Sequence, residues 1–138
     1  MILLDTNVII GALDKHEVQH RWALELVLSA VSGEGAVVSA VTVAELCAVD
    51  GNPEEVQSDL RNWGVQIADV PAVSAVVCGK AFRQYVNARR NSKGTSAPKV
   101  PLPDFFIGAH AEIMGWKIAT RDQDRFRKCF PGVTLLTP

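Results

Sequence analysis

The stretch Met-Ile-Leu-Leu-Asp-Thr-Asn-Val-Ile-Ile at residues 1–10 decides how the start of the chain folds. An apolar run stops at Asp5, and apolar character resumes at Val8 after the polar pair Thr6-Asn7. A short apolar run that ends in a polar step is typical of a buried strand followed by a helix or turn. Asp5 would then lie at the carboxyl end of the first strand, where open parallel sheets build ligand sites. An aspartate there can also simply cap the next helix, and this alternative stays open.

Length and composition are those of one globular domain. The 138 residues fall within the roughly 100–200 expected for a domain, so residues 1–138 are predicted to form a single domain. Hydrophobic residues make up 48% of the chain, which is enough for a core, and the net charge of −1 does not indicate a bulk nucleic-acid binder. The charge is nevertheless unevenly distributed if five acids share one pocket. The remaining surface would then be basic overall and would suit an anionic substrate. These acids are Asp5, Glu45, Asp104, Asp122 and Asp124.

The cysteines and the apolar runs indicate where the protein works. Cys47, Cys78 and Cys129 are odd in number and lack C-x-x-C spacing, so free thiols are predicted rather than disulfides or zinc ligands. Free thiols fit a reducing compartment. The opening run is interrupted by Asp5 and lacks a basic leader, so no signal peptide is predicted. No window approaches the roughly 18 apolar residues of a membrane span, and a cytoplasmic location without membrane contact is expected.

Short apolar runs alternate with segments of helical periodicity along the chain. Strands are predicted at 2–4, 36–39, 65–70 and 116–120, with a last edge strand at 133–136. Helices are predicted at 18–32, 41–49, 53–63, 71–90, 103–114 and within 121–130, and 91–103 has the composition of a loop. This alternation favours the α/β class, with a mainly parallel sheet and helices on both faces.

Two long helices are predicted to be amphipathic, and each has an assigned apolar face. In the helix at 18–32 the apolar face comprises Val18, Trp22, Leu24, Leu26, Val27, Leu28 and Val31. In the helix at 71–90 it comprises Val73, Val76, Val77, Ala81, Phe82 and Tyr85.

Four carboxylates from separate parts of the sequence are predicted to meet at one edge of this sheet. Asp5 ends the first strand, and Glu45 lies one turn into the helix after the second. Asp104 is in the first turn of the helix leading to the fourth strand, and Asp122 follows that strand. A helix that precedes a strand runs antiparallel to it and therefore begins at the edge where the strands end.

Each carboxylate also has a purely structural interpretation. Thr42-x-x-Glu45 matches a capping box, and Asp104 behind Pro103 suits the positive end of a helix. Asp122 could belong to a solvated turn. Their coincidence favours a shared function, because independent caps need not occur at every position that faces one cleft.

A cluster of carboxylates has a defined chemistry. Crowded carboxylates repel and raise one another's pKa unless a cation neutralises them. Oxygen ligands select Mg²⁺ or Mn²⁺ over zinc, and the chain offers no His/Cys cluster in their place. Such a site can lower the pKa of a bound water and stabilise charge that develops on a phosphate.

Four segments have an order and spacing that are specific when they are taken together. They are Leu-Leu-Asp-Thr-Asn-Val-Ile-Ile at 3–10, Ser-Ala-Val-Thr-Val-Ala-Glu-Leu at 39–46, Leu-Pro-Asp-Phe-Phe-Ile-Gly-Ala-His-Ala at 102–111 and Ile-Ala-Thr-Arg-Asp at 118–122. With these segments the chain resembles the PIN-domain ribonucleases, particularly the VapC-type toxins of bacterial and archaeal toxin–antitoxin pairs. The middle of the chain, 50–100, matches only in general pattern, and substrate choice would lie there.

The resemblance implies a three-layer α/β/α sandwich and a set of site residues. Asp5 and Asp104 would be the principal Mg²⁺ ligands, with Mn²⁺ as a possible substitute. Asp122 would complete the metal shell, and Glu45 would hold or orient the hydrolytic water.

The resemblance also implies polar support and partners. Thr120 and Asn7 would support the acidic residues, whereas Asp124 has no assigned role and is expected at the surface. Water would attack RNA in line and leave 5′-phosphate and 3′-hydroxyl ends. A small VapB-like antitoxin would block the acidic site, and the protein would form a homodimer.

Basic residues flank the predicted acidic edge and are candidates for binding RNA phosphates, a salt-sensitive contact that ignores sequence. Ordinary solvated charge is the open alternative. These residues are Arg89, Arg90, Lys93, Arg121 and Arg125.

Other residue types receive structural assignments. His110 in the apolar helix is expected to be packed and hydrogen-bonded, whereas His16 and His20 are expected at the surface. Trp22 and Trp63 are expected in the core rather than in a groove for a partner.

Two other functions fit parts of the sequence. A haloacid-dehalogenase-like phosphatase also opens with a strand ending in Asp, but it needs a second Asp where Asn7 stands. A non-catalytic module that binds RNA or protein could retain the acids.

Overall fold

The computed structural model describes residues 1–92 and 96–138. Within them the strands are β1 Ile2–Leu4, β2 Ala36–Ser39, β3 Gln66–Ala68, β4 Lys117–Ala119 and β5 Leu135–Leu136. The helices are α1 Thr6–Leu13, α2 His20–Ser32, α3 Ala40–Val49, α4 Val56–Asn62, α5 Ser74–Arg90, α6 Pro103–Met114 and α7 Gln123–Cys129.

All the strand pairs are parallel, in the order β3-β2-β1-β4-β5. The central strand is β1, where Leu3 stands opposite Val37 of β2 and Ile118 of β4. From β1 the chain moves outward through β2 and β3, and β4 then pairs on the other side of β1. The strand order therefore reverses between β1 and β4, which is where open parallel sheets form ligand crevices. The predicted parallel sheet and edge strand are confirmed.

Side chains of successive strand residues point to opposite faces, and each face has its own core. Leu4, Val38 and Ala119 pack with residues of α1 to α4. Leu3, Val37 and Ile118 pack with residues of α5 to α7. The protein is thus the α/β/α sandwich that the sequence predicted.

Close packing of aromatic rings fixes the position of α6. The Phe105 ring lies 5.4 Å from Phe82, 5.3 Å from Tyr85 and 6.3 Å from Phe130, between ring centroids. A Cβ on Gly108 would come within 2.2 Å of the Phe130 ring, so this contact requires glycine. Pro103 occupies the first turn of α6, where its missing N–H costs nothing, and left-handed Gly115 ends the helix. These contacts place the first turn of α6 at the carboxyl edge of the sheet.

The apolar faces of two helices differ from those predicted. Val18 is 99% exposed and precedes α2, which begins at His20. In α5, Val73 and Val76 are exposed, and the buried positions are Ser74, Cys78 and Ala81. Cys78 and Ala81 pack in the same core cluster as residues of α6. Small side chains at these positions allow the two helices to approach closely. Periodicity identified the helix correctly but assigned part of its buried face wrongly.

The boundaries of the helices and strands also differ from the predicted ones, and most of these elements are shorter than predicted. The third strand is Gln66–Ala68 rather than 65–70, because Val65 closes the preceding turn with a backbone hydrogen bond to Leu60. The helix predicted at 53–63 is α4, Val56–Asn62, and the polar step after Asp5 opens a full helix, α1.

The three cysteines are free thiols, as predicted. In the described ranges no helix is both long enough and apolar enough to cross a membrane.

Candidate functional site

Asp5 lies at the end of β1 with 4% of its surface exposed. Its Oδ1 accepts a 2.8 Å hydrogen bond from the backbone N–H of Thr6, so it caps α1. Its Oδ2 accepts two further bonds of 2.7 Å, from the Asn7 side-chain amide and from the Thr120 hydroxyl. The cap interpretation is therefore correct but incomplete, because only one carboxylate oxygen serves the helix.

Asn7 and Thr120 join the ends of β1 and β4, although they are distant in sequence. The Asn7 amide lies 3.3 Å from the Thr120 hydroxyl, and the Asn7 carbonyl oxygen accepts a 3.0 Å bond from the Arg121 backbone N–H. The Thr120 hydroxyl also accepts a 3.0 Å bond from the Asp122 backbone N–H. These bonds hold the Asp5 carboxylate and the segment after β4 in one orientation.

Glu45 is held by a residue that the sequence gave no reason to select. Its Oε2 accepts a hydrogen bond from the Thr6 hydroxyl at the start of α1. The start of α3 is capped instead by Ser39, whose Oγ accepts from the Val41 backbone N–H at 3.3 Å. Thr42 is buried, and its hydroxyl has no partner among the described residues. The capping-box alternative for Glu45 is therefore wrong, and Glu45 is tied to the residue next to Asp5.

Asp104 occupies the first turn of α6 and is paired with a cation. The Arg125 guanidinium in α7 donates to Asp104 Oδ2, and both side chains are partly buried. A carboxylate in a first helical turn is also stabilised by the positive end of the helix. Asp104 is thus held on one oxygen by Arg125.

Asp122 and Asp124 are the most accessible acids of the set. Asp122 is the residue before α7, where it makes no side-chain capping bond, and both residues are exposed. Asp122 is tied to the site through its backbone, by the bond to Thr120. The charge of its carboxylate is one of the factors that raise the pKa of Arg125.

The acids act on one another electrostatically. Burial raises the pKa of Asp5 from 3.8 to about 6, the Thr120 and Thr6 hydrogen bonds oppose the rise, and the charges of Asp104 and Glu45 add to it. Asp5 therefore lies close enough to Asp104 and Glu45 to feel both charges, as the predicted topology requires. Asp5 follows β1, Glu45 lies in α3 and Asp104 lies in α6. Together they give the carboxyl edge a local excess of negative charge.

The donor chemistry at this edge suits a hard divalent cation, because carboxylate oxygens are its preferred ligands. As the side chains lie, no three His, Cys, Asp or Glu residues in the described part of the chain are grouped closely enough to hold a metal ion. The residues fit a metal in charge and in ligand type, and Asp104 would have to leave Arg125 to offer both oxygens.

Most of the predicted RNA-binding residues make contacts within the protein. Arg89 donates to the Tyr85 hydroxyl at 2.9 Å and to the Ser96 carbonyl at 2.8 Å. Arg121 forms a 2.5 Å ion pair with Glu17, a partner that the sequence did not suggest. Arg90 is exposed, and Lys93 lies outside the described residues.

The histidine and tryptophan predictions had mixed outcomes. His110 is buried, with Nδ1 3.3 Å from Ser39 Oγ, and burial lowers its pKa, so the packed histidine is confirmed. His16 is exposed as predicted, but His20 is half-buried, with Nδ1 2.9 Å from the Gly11 carbonyl oxygen. Trp22 packs against the core, whereas the core prediction for Trp63 is wrong because that ring is exposed.

An apolar groove of about 250 Å³ runs between α1 and α2. Its exposed members are large hydrophobic side chains, which a lone soluble domain seldom groups at its surface. The lining residues are Ile9, Ala12, Leu13, Leu24, Val27, Leu28, Val31 and Trp63.

Comparison with known proteins gives one family and several similar structures. The sequence profile of the PIN domain matches residues 2–130. A search of curated proteins found no significant match.

The similar structures cover nearly whole chains. VapBC2 from Rickettsia felis, bound to a promoter DNA fragment, is 24% identical with a TM-score of 0.67, over 100% of this chain and 99% of that chain. The FitAcB structure from Neisseria gonorrhoeae is 25% identical with a TM-score of 0.65, over 100% and 98%. VapC20 from Mycobacterium tuberculosis, a toxin that cleaves the sarcin–ricin loop, is 14% identical with a TM-score of 0.68, over 100% of both chains.

Proposed function

We propose, because this chain belongs to the PIN-domain family, that it is a Mg²⁺-dependent endoribonuclease and a toxin of the VapC type. The observation that carries the proposal is the state of Asp5. This carboxylate is 4% exposed, is fixed by three hydrogen bonds, and has a pKa raised to about 6. A residue that served only as a helix cap would need neither the bonds to Oδ2 nor the nearby charges of Asp104 and Glu45.

Three carboxylates are the proposed metal ligands: Asp5, Asp104 and Asp122. Oxygen ligands of this kind fit Mg²⁺ and also Mn²⁺. When bound, such an ion lowers the pKa of a water molecule and stabilises negative charge that develops on the phosphate.

The protein's own residues position the reactants. The Thr6 hydroxyl holds Oε2 of Glu45, which leaves Oε1 to accept a hydrogen bond from the attacking water. Thr120 and Asn7 hold Asp5 Oδ2, so that the carboxylate does not need to reorient during the reaction. In the proposed reaction the water oxygen bonds to phosphorus, the P–O3′ bond breaks, and 5′-phosphate and 3′-hydroxyl ends are left.

Binding of RNA requires positive charge beside the acids. Arg90 at the end of α5 is exposed and available for a phosphate. Lys93 stays a prediction. Arg89 holds the Ser96 backbone carbonyl, and Arg121 is paired with the Glu17 side chain.

The proposed partner is a small VapB-like antitoxin, since the similar structures include VapBC complexes. The apolar groove between α1 and α2 is its proposed docking surface, because α1 also carries Thr6 and Asn7 at the acidic edge. Leu28 in the groove is 60% exposed, and Val76 on the opposite face of the protein is 59% exposed.

Leu28→Glu should weaken the complex with the antitoxin from an adjacent reading frame, and the matched variant Val76→Glu should not. If calorimetry gives both variants the same affinity for the antitoxin, the groove is rejected as its docking surface. The proposed homodimer is tested separately by light scattering of the purified toxin.

The nuclease proposal is tested by RNA cleavage with Mg²⁺, with EDTA, and with Asp5→Asn. Asp124→Asn is the matched control, because it removes the same charge from an exposed carboxylate. We expect cleavage to be lost with EDTA and in Asp5→Asn but retained in Asp124→Asn. Cleavage that survives both EDTA and Asp5→Asn would reject the metal mechanism. Tight RNA binding without any cleavage would favour a non-catalytic module, and phosphomonoester turnover without RNA cleavage would favour a phosphatase.

A further inference from the structure

Arg125 places a positive charge beside the acidic centre, which is the group of carboxylates at the carboxyl edge of the sheet (Asp5, Glu45, Asp104 and Asp122). Its guanidinium donates to Asp104 Oδ2, with 29% of the Arg125 side chain and 22% of the Asp104 side chain exposed. It also lies within the influence of the Tyr85 hydroxyl and of Asp122, both of which act on its pKa. Exposed ion pairs are worth little, but this pair is shielded and engages a proposed metal ligand.

The rotation of α7 fixes where Arg125 points. The next residue, Phe126, is completely buried among the side chains of α5 and α6. Adjacent residues of a helix point about 100° apart, so burial of Phe126 leaves Arg125 on the rim beside Asp104. By contrast Arg127, one position beyond Phe126, is exposed. The contact with Asp104 is therefore a consequence of how α7 packs.

We propose that Arg125 is the resident counter-ion of the acidic centre, which a divalent cation must displace from Asp104 in order to bind. This inference rests on the proposed metal site. It makes Arg125 a positioning residue that sets metal affinity through Asp104.

Two physical effects of Arg125 lower the affinity of the site for a divalent cation. The guanidinium occupies lone pairs of Asp104 that a metal would use, and its charge repels a divalent cation. Between a single and a double positive charge on the order of 5 Å apart in water, Coulomb repulsion alone corresponds to roughly a tenfold loss of affinity. In the metal-free protein the same charge offsets the repulsion among Asp5, Asp104 and Glu45. Arg125 thus stabilises the empty site and weakens the loaded one.

The experiment measures Mn²⁺ affinity by calorimetry, without RNA and without turnover. The variants are Arg125→Ala, Arg125→Gln, which keeps part of the stem, and Arg127→Ala, which removes the same charge from the same helix. We expect both Arg125 variants to bind Mn²⁺ on the order of tenfold more tightly than the original protein. Arg127→Ala should stay within about twofold. The rise in melting temperature caused by Mn²⁺ should also be larger in the Arg125 variants.

The outcomes separate this inference from the proposed function. If the original protein binds Mn²⁺ and loses it in Asp104→Asn, the metal site stands. Unchanged or weaker affinity in folded Arg125→Gln then rejects Arg125 as the competing cation, as does an equal gain in Arg127→Ala. If no variant binds Mn²⁺ at saturating concentration, the metal site fails and this inference fails with it.

Discussion

The acidic edge has two halves that are built differently. At the ends of β1 and β4, Asp5 is buried and held by Asn7 and Thr120 through bonds of 2.7 Å. At the starts of α6 and α7, Asp104 is partly buried and paired with Arg125, and Asp122 is exposed. The first half is formed by folding of the sheet, whereas the second half consists of an ion pair and an exposed carboxylate.

The two halves would meet different requirements of the proposed metal-dependent nuclease. A fixed carboxylate removes the cost of orienting a ligand. The ion pair with Arg125, by contrast, would have to open before both oxygens of Asp104 could bind a metal. We therefore expect changes in the β1/β4 half to have larger effects than equal changes in the α6/α7 half.

Gly108→Ala should disrupt the packing that positions α6 in the α6/α7 half. Because the added Cβ would lie 2.2 Å from the Phe130 ring, α6 or the ring must shift. We expect a loss of about 3 kcal/mol in the free energy of unfolding, at the upper end for overpacking. Urea denaturation measures this loss. Gly79→Ala in α5, where a Cβ meets nothing within 4 Å, is the control and should be neutral or stabilising. Equal stability of the two variants would contradict the close contact.

Thr120→Val tests the β1/β4 half without removing a charge. Valine lacks the hydroxyl that donates to Asp5 and accepts from the Asp122 backbone, so the pKa of Asp5 should rise further. We expect Mn²⁺ affinity to fall roughly 10–100-fold, as for other groups that orient metal ligands.

Thr42→Val is the matched control for this substitution. Thr42 is also buried, but its hydroxyl has no partner in the described part of the chain. The Mn²⁺ affinity of the Thr42→Val variant should be unchanged. An equal loss of Mn²⁺ affinity in both variants would indicate a general packing effect.

Metal binding should depend on pH through Asp5. Its pKa is raised from 3.8 to about 6 in the folded protein, so protonation stabilises the fold without metal. This stabilisation is complete below pH 3.8 and is lost as the pH rises through 6. A proton also competes with the cation, so Mn²⁺ affinity should fall about tenfold per pH unit below pH 6. Calorimetry in buffers with different ionisation enthalpies would count the released protons. An affinity that stays constant from pH 7 to pH 5 would contradict the raised pKa.

Asp122→Asn tests the α6/α7 half and should have a small effect. The carboxylate is exposed, and its backbone N–H keeps the bond to Thr120 in the variant. We expect cleavage to fall roughly 3–10-fold, less than for any change to Asp5. Asp124→Asn in the first turn of α7 should alter cleavage by less than about twofold. A loss as large as that of Asp5→Asn would show that the two halves are equally essential.

The approximate location of the acids could be predicted because it depends on topology. Asp5 follows the first strand and Asp104 begins the helix before the fourth, and both positions follow from parallel strand order alone. The PIN-domain motifs also lie in these regular segments, so the family could be recognised from them.

The side-chain partners could not be predicted in the same way. The bond from Thr6 to Glu45 joins α1 to α3, and the pair of Arg125 with Asp104 joins α7 to α6. Both depend on rotamers and on helix rotation, which tertiary packing decides. The exposed Val76 shows the same limit, because the spacing of apolar residues does not reveal which face small residues such as Ala81 will bury.

The pairing of β1 with β4 has a consequence for synthesis. Asp5 and Thr120 are separated by 115 positions, so a ribosome must make most of the polypeptide before this bond can form. A nascent chain that ends before β4 has Asp5 but lacks Thr120 and Asp122. The acidic edge proposed to cleave RNA is therefore complete only when translation of the chain is almost finished.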